Sequence, residues 1–159
     1  MNLAFDSSSC KLIHGLRKVG RVEEAVEKFE EISEKGLVPD VVIYNIMIGG
    51  LCKKGMLMEA YRLFMQMEEK GCLPDSMLFN VIIQSFLRKK NVKKVMELIE
   101  AMRKRKFSPN DAVASMLLEL VLSDSHFHSY LNSLPNFVKE NLSEKHHSIW
   151  INSATSIPS

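Results

Sequence analysis

The hexapeptide Lys35-Gly36-Leu37-Val38-Pro39-Asp40 returns as Lys70-Gly71-Cys72-Leu73-Pro74-Asp75 and, in a diverged form, as Lys106-Phe107-Ser108-Pro109-Asn110. The prolines of the three copies are 35 residues apart both times, and residues 15–40 align with residues 50–75 without a gap at 12 identities in 26 positions. A fixed period of this length is typical of a solenoid, in which each unit buries its apolar face only against its neighbours. The chain is therefore built from repeats.

Each repeat contains the signals for two helices. Pro39 ends the preceding helix and Asp40 is a good N-cap for a helix that begins at Val41, although the β-branched run 41–43 taken alone would suit a strand. Gly55 then interrupts the chain, and apolar residues recur at helical spacing over a second amphipathic segment, namely Leu57, Ala60, Tyr61, Phe64 and Met67. We predict an all-α protein, a right-handed α-solenoid of antiparallel helix hairpins.

The repeat interval divides the chain into five segments. Residues 41–75 and 76–110 form two regular repeats, whereas residues 6–40 form a partial or irregular first repeat with the polar start Asp6-Ser7-Ser8-Ser9. We expect capping helices at 111–134, because a solenoid needs a terminal unit with a polar outer face. Residues 135–159 are rich in Ser, Asn and His, and we predict a disordered tail there.

Positive charge is concentrated in one repeat. The whole chain has a net charge of +2, but residues 76–110 hold nine Lys and Arg against Glu97 and Glu100. Such a run either forms a solvated helix face or attracts a phosphate backbone, and for the second case Lys89, Lys90 and Lys93 are the candidate contacts. The apolar runs are too short for a membrane span of about 20 residues, so we predict no membrane partner.

The sequence offers no catalytic or metal-binding constellation. Cys10, Cys52 and Cys72 are widely separated, and we interpret them as reduced packing residues. His146 and His147 are adjacent but lack further ligands at metal-site spacing. With no paired nucleophile and base, no pair of catalytic carboxylates and no phosphate loop, we predict no enzyme, no metal and no cofactor.

The repeat resembles a known family. The unit from Val42-Ile43-Tyr44-Asn45 through Gly50-Leu51-Cys52-Lys53 to Pro74-Asp75 closely resembles the pentatricopeptide repeat, over about residues 6–122. Ser108-Pro109-Asn110 and the later Leu134-Pro135-Asn136-Phe137-Val138 look similar to the C-terminal end of plant restorer-of-fertility-like members. This places the chain in the pure-repeat class, and we expect it to be part of a longer array.

The resemblance implies a function and a set of site residues. It implies that the chain binds single-stranded RNA at one base per repeat, and that the fifth residue of the first helix and the last residue of the repeat read the base. These positions are Asn45 with Asp75 and Asn80 with Asn110. The family pattern suggests uracil for the first pair and cytosine for the second, and it implies that Val42 and Met77 stack on bases. No base is assigned to Cys10 with Asp40.

Two other interpretations stay open at this stage. An Asn near a helix start is often only a local turn residue, and an Asp after Pro is often only an N-cap. A tetratricopeptide-like scaffold that binds peptides has a similar architecture but a period of 34 residues. From the family resemblance we expect an organellar transcript as the RNA, a mitochondrial location with the chloroplast as the alternative, and protein partners that supply any catalysis.

Overall fold

We analysed a computed structural model that describes Leu3, Ala4, residues 6–123, Leu134, Asn136 and residues 138–140. In this part of the chain seven helices follow one another: α1 (Ser7–Lys18), α2 (Val22–Glu34), α3 (Val41–Lys54), α4 (Leu57–Glu69), α5 (Ser76–Arg88), α6 (Val92–Lys104) and α7 (Asp111–Ser123). Two strands, β1 (Leu3–Ala4) and β2 (Leu37–Val38), complete the elements. None of the helices in the described ranges combines the length and apolarity that a bilayer span requires.

The first helix of each hairpin begins at an acidic or amide side chain. Asp40 accepts a hydrogen bond from the backbone N–H of Ile43 at 2.9 Å, and Asp75 accepts one from Leu78 at 2.8 Å. The same contact recurs at Asp6 with Ser9 and at Asn110 with Val113. These bonds satisfy a backbone donor that has no partner within its helix. The predicted helix start at Val41 is confirmed, and the β-branched run 41–43 is helical.

Aromatic rings join consecutive hairpins in the compact unit Met1–Ser85. Phe29 of α2 meets Tyr44 of α3 edge to face, with ring centroids 5.5 Å apart and an interplanar angle of 67°. Phe64 of α4 and Phe79 of α5 repeat this contact 35 residues later at 5.1 Å and 77°. Helix α1 packs on α2, α3 packs on α4, and both α1 and α2 contact α3. The predicted helix hairpins are present, and the predicted stripe of α4 is buried except for the half-exposed Tyr61.

The second compact unit, Phe86–Ser159, contains the end of α5, all of α6 and α7, and part of the C-terminal segment. Val95, Ile99 and Met102 of α6 are fully buried. The predicted capping region 111–134 starts with α7, and residues 124–133 lie outside the described residues.

The start of the C-terminal segment departs from the predicted disordered tail. Asn136 and residues 138–140 are helical, and Val138 is 1% exposed. Leu134, four residues earlier, is also buried, so the two apolar side chains have the spacing of one helix face. His146, His147 and the rest of the predicted tail lie outside the described residues.

The sequence did not predict the strand pair. Strands β1 and β2 are parallel, with Leu3 opposite Leu37 and Ala4 opposite Val38. Val38 precedes Pro39, and the proline ring disfavours helical backbone at the residue before it. The linker between α2 and α3 is therefore extended, which leaves its backbone groups available for pairing.

The third repeat carries lysine at two left-handed backbone positions. Gly55 and Gly71 have φ values of 83° and 80°, and the residues 35 positions later, Lys90 and Lys106, have φ values of 54° and 60°. A residue with a Cβ pays about 1–2 kcal/mol in this region of backbone space, whereas glycine does not.

We therefore expect Lys90→Gly and Lys106→Gly each to raise the free energy of unfolding by about 1 kcal/mol. Urea denaturation would measure the change. The matched control is Lys93→Gly, which places the same substitution inside α6 and should lower stability by about 1 kcal/mol. Equal effects of all three substitutions would contradict the assignment of the gain to the backbone conformation.

Tyr44 is fully buried against Phe29, and its hydroxyl group has no hydrogen-bond partner among the described residues. Burial, with a smaller contribution from Cys72, raises the pKa of Tyr44 from 10.0 to about 12. Between these two values the unfolded chain has lost the phenolic proton while the folded chain keeps it. Stability contributed by Tyr44 is therefore complete below pH 10 and is lost as the pH rises toward 12.

Tyr44→Phe should remove this pH dependence, because the variant keeps the ring and has no proton to lose. The free energy of unfolding of the wild type should fall relative to that of Tyr44→Phe as the pH rises from 10 to 12. Tyr61→Phe, at a half-exposed tyrosine, is the control and should follow the wild-type curve. If the free energies of unfolding of wild type and Tyr44→Phe changed in parallel between pH 10 and pH 12, the raised pKa of Tyr44 would be refuted.

Candidate nucleic-acid interface

Asn45 and Asp75, the first predicted reading pair, line the same small pocket. The pocket also contains Gly49, Met77, Leu78 and Val81 and has a volume of about 80 Å³. Asn45 lies in the first turns of α3 and Asp75 immediately precedes α5, so consecutive hairpins supply the two side chains. This volume is well below the roughly 300–1,000 Å³ of pockets that enclose a ligand. The pocket can take the edge of a planar group but cannot enclose it.

Some polar atoms of Asn45 and Asp75 are bonded or buried within the fold, and the others are available in the pocket. One carboxylate oxygen of the exposed Asp75 caps α5, and the other takes part in no hydrogen bond with a described residue. The Oδ1 atom of Asn45 is buried and has no hydrogen-bond partner in the described part of the chain. The NH₂ group of Asn45 is then the more accessible end of the amide. The pocket therefore presents a donor and an acceptor from the two ends of one repeat.

The second predicted pair has a different environment. Asn80 is only 5% exposed, and its NH₂ group donates to the backbone carbonyl of Ser76 at 2.7 Å. Asn110 is exposed and caps α7 through its Oδ1 atom. To contact a base, Asn80 would have to exchange its bond to Ser76 for a bond to that base. The reading role of Asn80 and Asn110 stays a prediction.

The two predicted stacking residues are exposed apolar side chains. Val42 in the first turn of α3 is 61% exposed, and Met77 in the first turn of α5 is 74% exposed. They occupy the same repeat position, 35 residues apart. Their exposure makes both available for contact with a flat apolar surface, which is what the stacking role requires.

The predicted backbone-contacting lysines carry uncompensated charge. Lys89, Lys90 and Lys93 are exposed and form no ion pair within the described residues. Neighbouring Lys94, in contrast, pairs with Glu97 at 2.8 Å. Exposed charges without partners are the ones that can attract a polyanion from solution. The geometry thus leaves these three lysines available for the role that the sequence suggested.

A second group of basic residues was missed by the sequence analysis. Arg17, Lys18, Lys53 and Lys54 line a cavity of about 410 Å³ together with Gly20, Val22 and Gly50. Lys18 and Lys53 are 35 residues apart, so the repeat register could have indicated that they occupy equivalent positions. The signal was hidden because residues 1–40 have a negative net charge overall.

The first repeat places Cys10 near two carboxylates. Partial burial is the main cause that raises the pKa of the Cys10 thiol, and Asp40 and Asp6 add to the shift. Cys10 stands in the register of Asn45, and its proximity to Asp40 matches the proximity of Asn45 to Asp75. Within the described ranges no group of three or more His, Cys, Asp or Glu residues could hold a metal ion.

Comparison with protein families gives three matches along the chain. Residues 10–37 and 35–68 match the PPR repeat, and residues 74–120 match the PPR repeat family. The chain belongs to the pentatricopeptide repeat family. No curated protein sequence matches it significantly.

Solved structures confirm the predicted fold class. The crystal structure of the pentatricopeptide repeat protein PPR10 from maize matches with a TM-score of 0.66 and 19% identity, covering 92% of this chain and 20% of that one. PPR10 in complex with an 18-nt psaJ RNA element matches with a TM-score of 0.62 and 18% identity, covering 95% of this chain and 24% of that one. The chain thus spans about a fifth to a quarter of the length of these proteins.

The capping role of Asp75 can be tested by itself. We expect Asp75→Asn to leave the free energy of unfolding nearly unchanged, because Asn110 already caps α7 at the equivalent position. Asp75→Ala removes the cap of α5 and should lower stability by about 1 kcal/mol. Urea denaturation of both variants would test this, and an equal loss for Asn and Ala would show that the charge, and not the cap, stabilises the helix.

Proposed function

We propose that this chain is a sequence-selective adaptor for single-stranded RNA that has no catalytic activity of its own and reads one base per repeat. The observation that carries the proposal is the shared pocket of Asn45 and Asp75 beside the exposed Met77. A base whose face stacks on Met77 would have its edge directed at these two polar side chains. The RNA bound by PPR10 in its crystal structure supports the same partner for this chain.

The two polar groups complement uracil. Its edge carries a carbonyl acceptor next to the imino N–H donor, which would face the Asn45 NH₂ group and the second carboxylate oxygen of Asp75, directly or through water. Cytosine has an unprotonated ring nitrogen in place of the imino group, and this lone pair would oppose the Asp75 carboxylate. We infer that Asn45 with Asp75 prefers uracil.

At the second pair the closing residue is the amide Asn110 in place of a carboxylate. Because Oδ1 of Asn110 caps α7, the NH₂ group is the part of the side chain that differs most from Asp75. A donor at this position suits the ring nitrogen of cytosine. We infer that Asn80 with Asn110 prefers cytosine. This preference should be less strict than that of Asn45 with Asp75, because Asn80 must first give up its hydrogen bond to the Ser76 carbonyl.

The size of the chain limits its affinity. Stacking contributes about 1–3 kcal/mol per base, whereas association costs on the order of 4–15 kcal/mol. Two reading pairs should therefore bind weakly and with strong salt dependence. We infer that the chain works within a longer array, and the small share of PPR10 that it covers supports this.

In the cell we propose that the target is an organellar transcript, in the mitochondrion or alternatively in the chloroplast, and that the protein is of the pure-repeat class and restorer-like. Occupation of a transcript by a non-catalytic protein can block nucleases or ribosomes, or remodel RNA structure. Protein partners would supply any cleavage. The sequence phrases similar to restorer-of-fertility-like members support this placement.

The decisive test changes one reading residue. The whole chain is fused behind repeats of known base preference, and the affinity for RNAs that differ only at the base facing Asn45 is measured by fluorescence anisotropy. Asp75→Asn should move the preference from uracil toward cytosine, because the amide replaces an acceptor by a donor.

Asp40→Asn is the matched control, since it makes the same change at the preceding N-cap and should leave the uracil preference intact. An unchanged preference in Asp75→Asn would remove Asp75 from the reading role. If Asp40→Asn changed the base preference by the same amount, the effect would come from the loss of a negative charge and not from contact between residue 75 and the base.

A further inference from the structure

Among the residues that the structure describes, the wall of the cavity lined by Arg17, Lys18, Lys53 and Lys54 carries basic side chains and no acidic one. Glu23 lies 3.4 Å from the Lys54 ammonium group, which also donates to the carbonyl of Gly20 at 3.1 Å. One acid therefore offsets part of the charge of one lysine. The remaining positive charge makes the cavity attractive to an anion.

Arg17 is unusual for its position in the repeat. The residues 35 and 70 positions later are Cys52 and Leu87, which are 8% and 5% exposed. Arg17 itself is half-buried, and its Nε atom is buried without a hydrogen-bond partner among the described residues. Burying a charged donor without a partner is costly, so an arginine here needs an acceptor to complete its environment.

Gly50 provides the space through which the Arg17 side chain passes. A Cβ added at Gly50 would lie 2.7 Å from the Cγ atom of Arg17 and 2.9 Å from its Cδ atom, distances that real Cβ contacts do not show. Gly15, the counterpart of Gly50 in the first repeat, has no atom within 4 Å of such a Cβ. The missing side chain at Gly50 thus fixes the path by which the guanidinium group reaches the cavity.

We propose that this cavity binds a phosphate group and that Arg17 is its principal ligand. The guanidinium group presents parallel N–H donors that match two oxygens of a phosphate, and Nε supplies one of them. Lys18, Lys53 and Lys54 add charge around it. The phosphate could be a phosphodiester of RNA or a free phosphate monoester, which share this chemistry. The site does not depend on the base-reading role of Asn45 and Asp75.

The first experiment uses the whole chain and inorganic phosphate, without RNA. Phosphate replaces chloride at constant ionic strength while ¹H–¹⁵N spectra follow the backbone amides of Gly20 and Gly50 and the Nε–H signal of Arg17. We expect saturable shifts of these signals. Arg17→Gln should weaken phosphate binding by about 10-fold or more, because a charge-assisted pair of hydrogen bonds is lost.

Three variants sharpen this measurement. Arg17→Lys keeps the charge without the fork and should bind more weakly than wild type, and Gly50→Ala should weaken binding by displacing Arg17. Arg103→Gln removes an exposed arginine that pairs with Glu100 and should bind phosphate like wild type. Absence of saturable shifts in the wild type, or an equal loss in Arg17→Gln and Arg103→Gln, would overturn the proposal, and neither result depends on whether Gly50→Ala folds.

A second experiment distinguishes the two sources of phosphate. If the site holds an RNA phosphodiester, Arg17→Gln should weaken RNA binding uniformly across sequences and reduce the salt slope by about 1, and inorganic phosphate should compete with RNA. If the site holds a free monoester, the variant should lose the phosphate shifts and keep its RNA affinity. If Asp75→Asn leaves the base preference unchanged while the wild type still shows the phosphate shifts, only the base-reading function is rejected.

Discussion

The edge-to-face contact between a phenylalanine of one repeat and an aromatic ring of the next controls both packing and the position of the candidate site. Tyr44 and Phe79 are fully buried by this contact, with Phe29 and Phe64 respectively. Successive residues of a helix point about 100° apart, so burial of the ring fixes the rotation of the helix and with it the direction of the next side chain. That next residue is Asn45 in one repeat and Asn80 in the other. Any change that rotates the aromatic ring out of the core would also displace the amide.

Helix capping explains how a closing Asp and a closing Asn can differ in what they offer to a ligand. The cap consumes one oxygen in each case, as the bonds from Leu78 to Asp75 and from Val113 to Asn110 show. The other terminal group of the side chain is a carboxylate oxygen, an acceptor, in Asp and an NH₂ group, a donor, in Asn. The fold thus sets the polarity of the group that is left, because the cap fixes which atom is used. Asp75 and Asn110 can therefore cap their helices through equivalent oxygens and still differ in the second polar group of the side chain.

The features that repeat could be predicted from the sequence, and the features that depend on a single pair of distant residues could not. The 35-residue interval and the Pro-Asp phrase predicted the hairpins and the N-cap at Asp40, and the family resemblance implied that Asn45 and Asp75 act as a pair. The pairing of Leu3–Ala4 with Leu37–Val38 depends on two short segments with weak strand signals. The buried Nε of Arg17 depends on the absence of a side chain at Gly50. Neither has a periodic signal, because each occurs once among the described residues.

Lysine at two strained backbone positions shows a conflict between stability and charge in the third repeat. Lys90 and Lys106 stand where the preceding repeat has Gly55 and Gly71, and glycine is the residue that the left-handed conformation favours. The strain is about 1–2 kcal/mol at each position. Both lysines belong to the repeat that carries nine basic residues against two acidic ones, and Lys90 is exposed without an ion pair among the described residues. A chain that needed only a stable hairpin would keep glycine at these positions. The substitution is understandable if the gain is long-range attraction of a polyanion, because that attraction depends on the number of uncompensated charges and not on their exact placement.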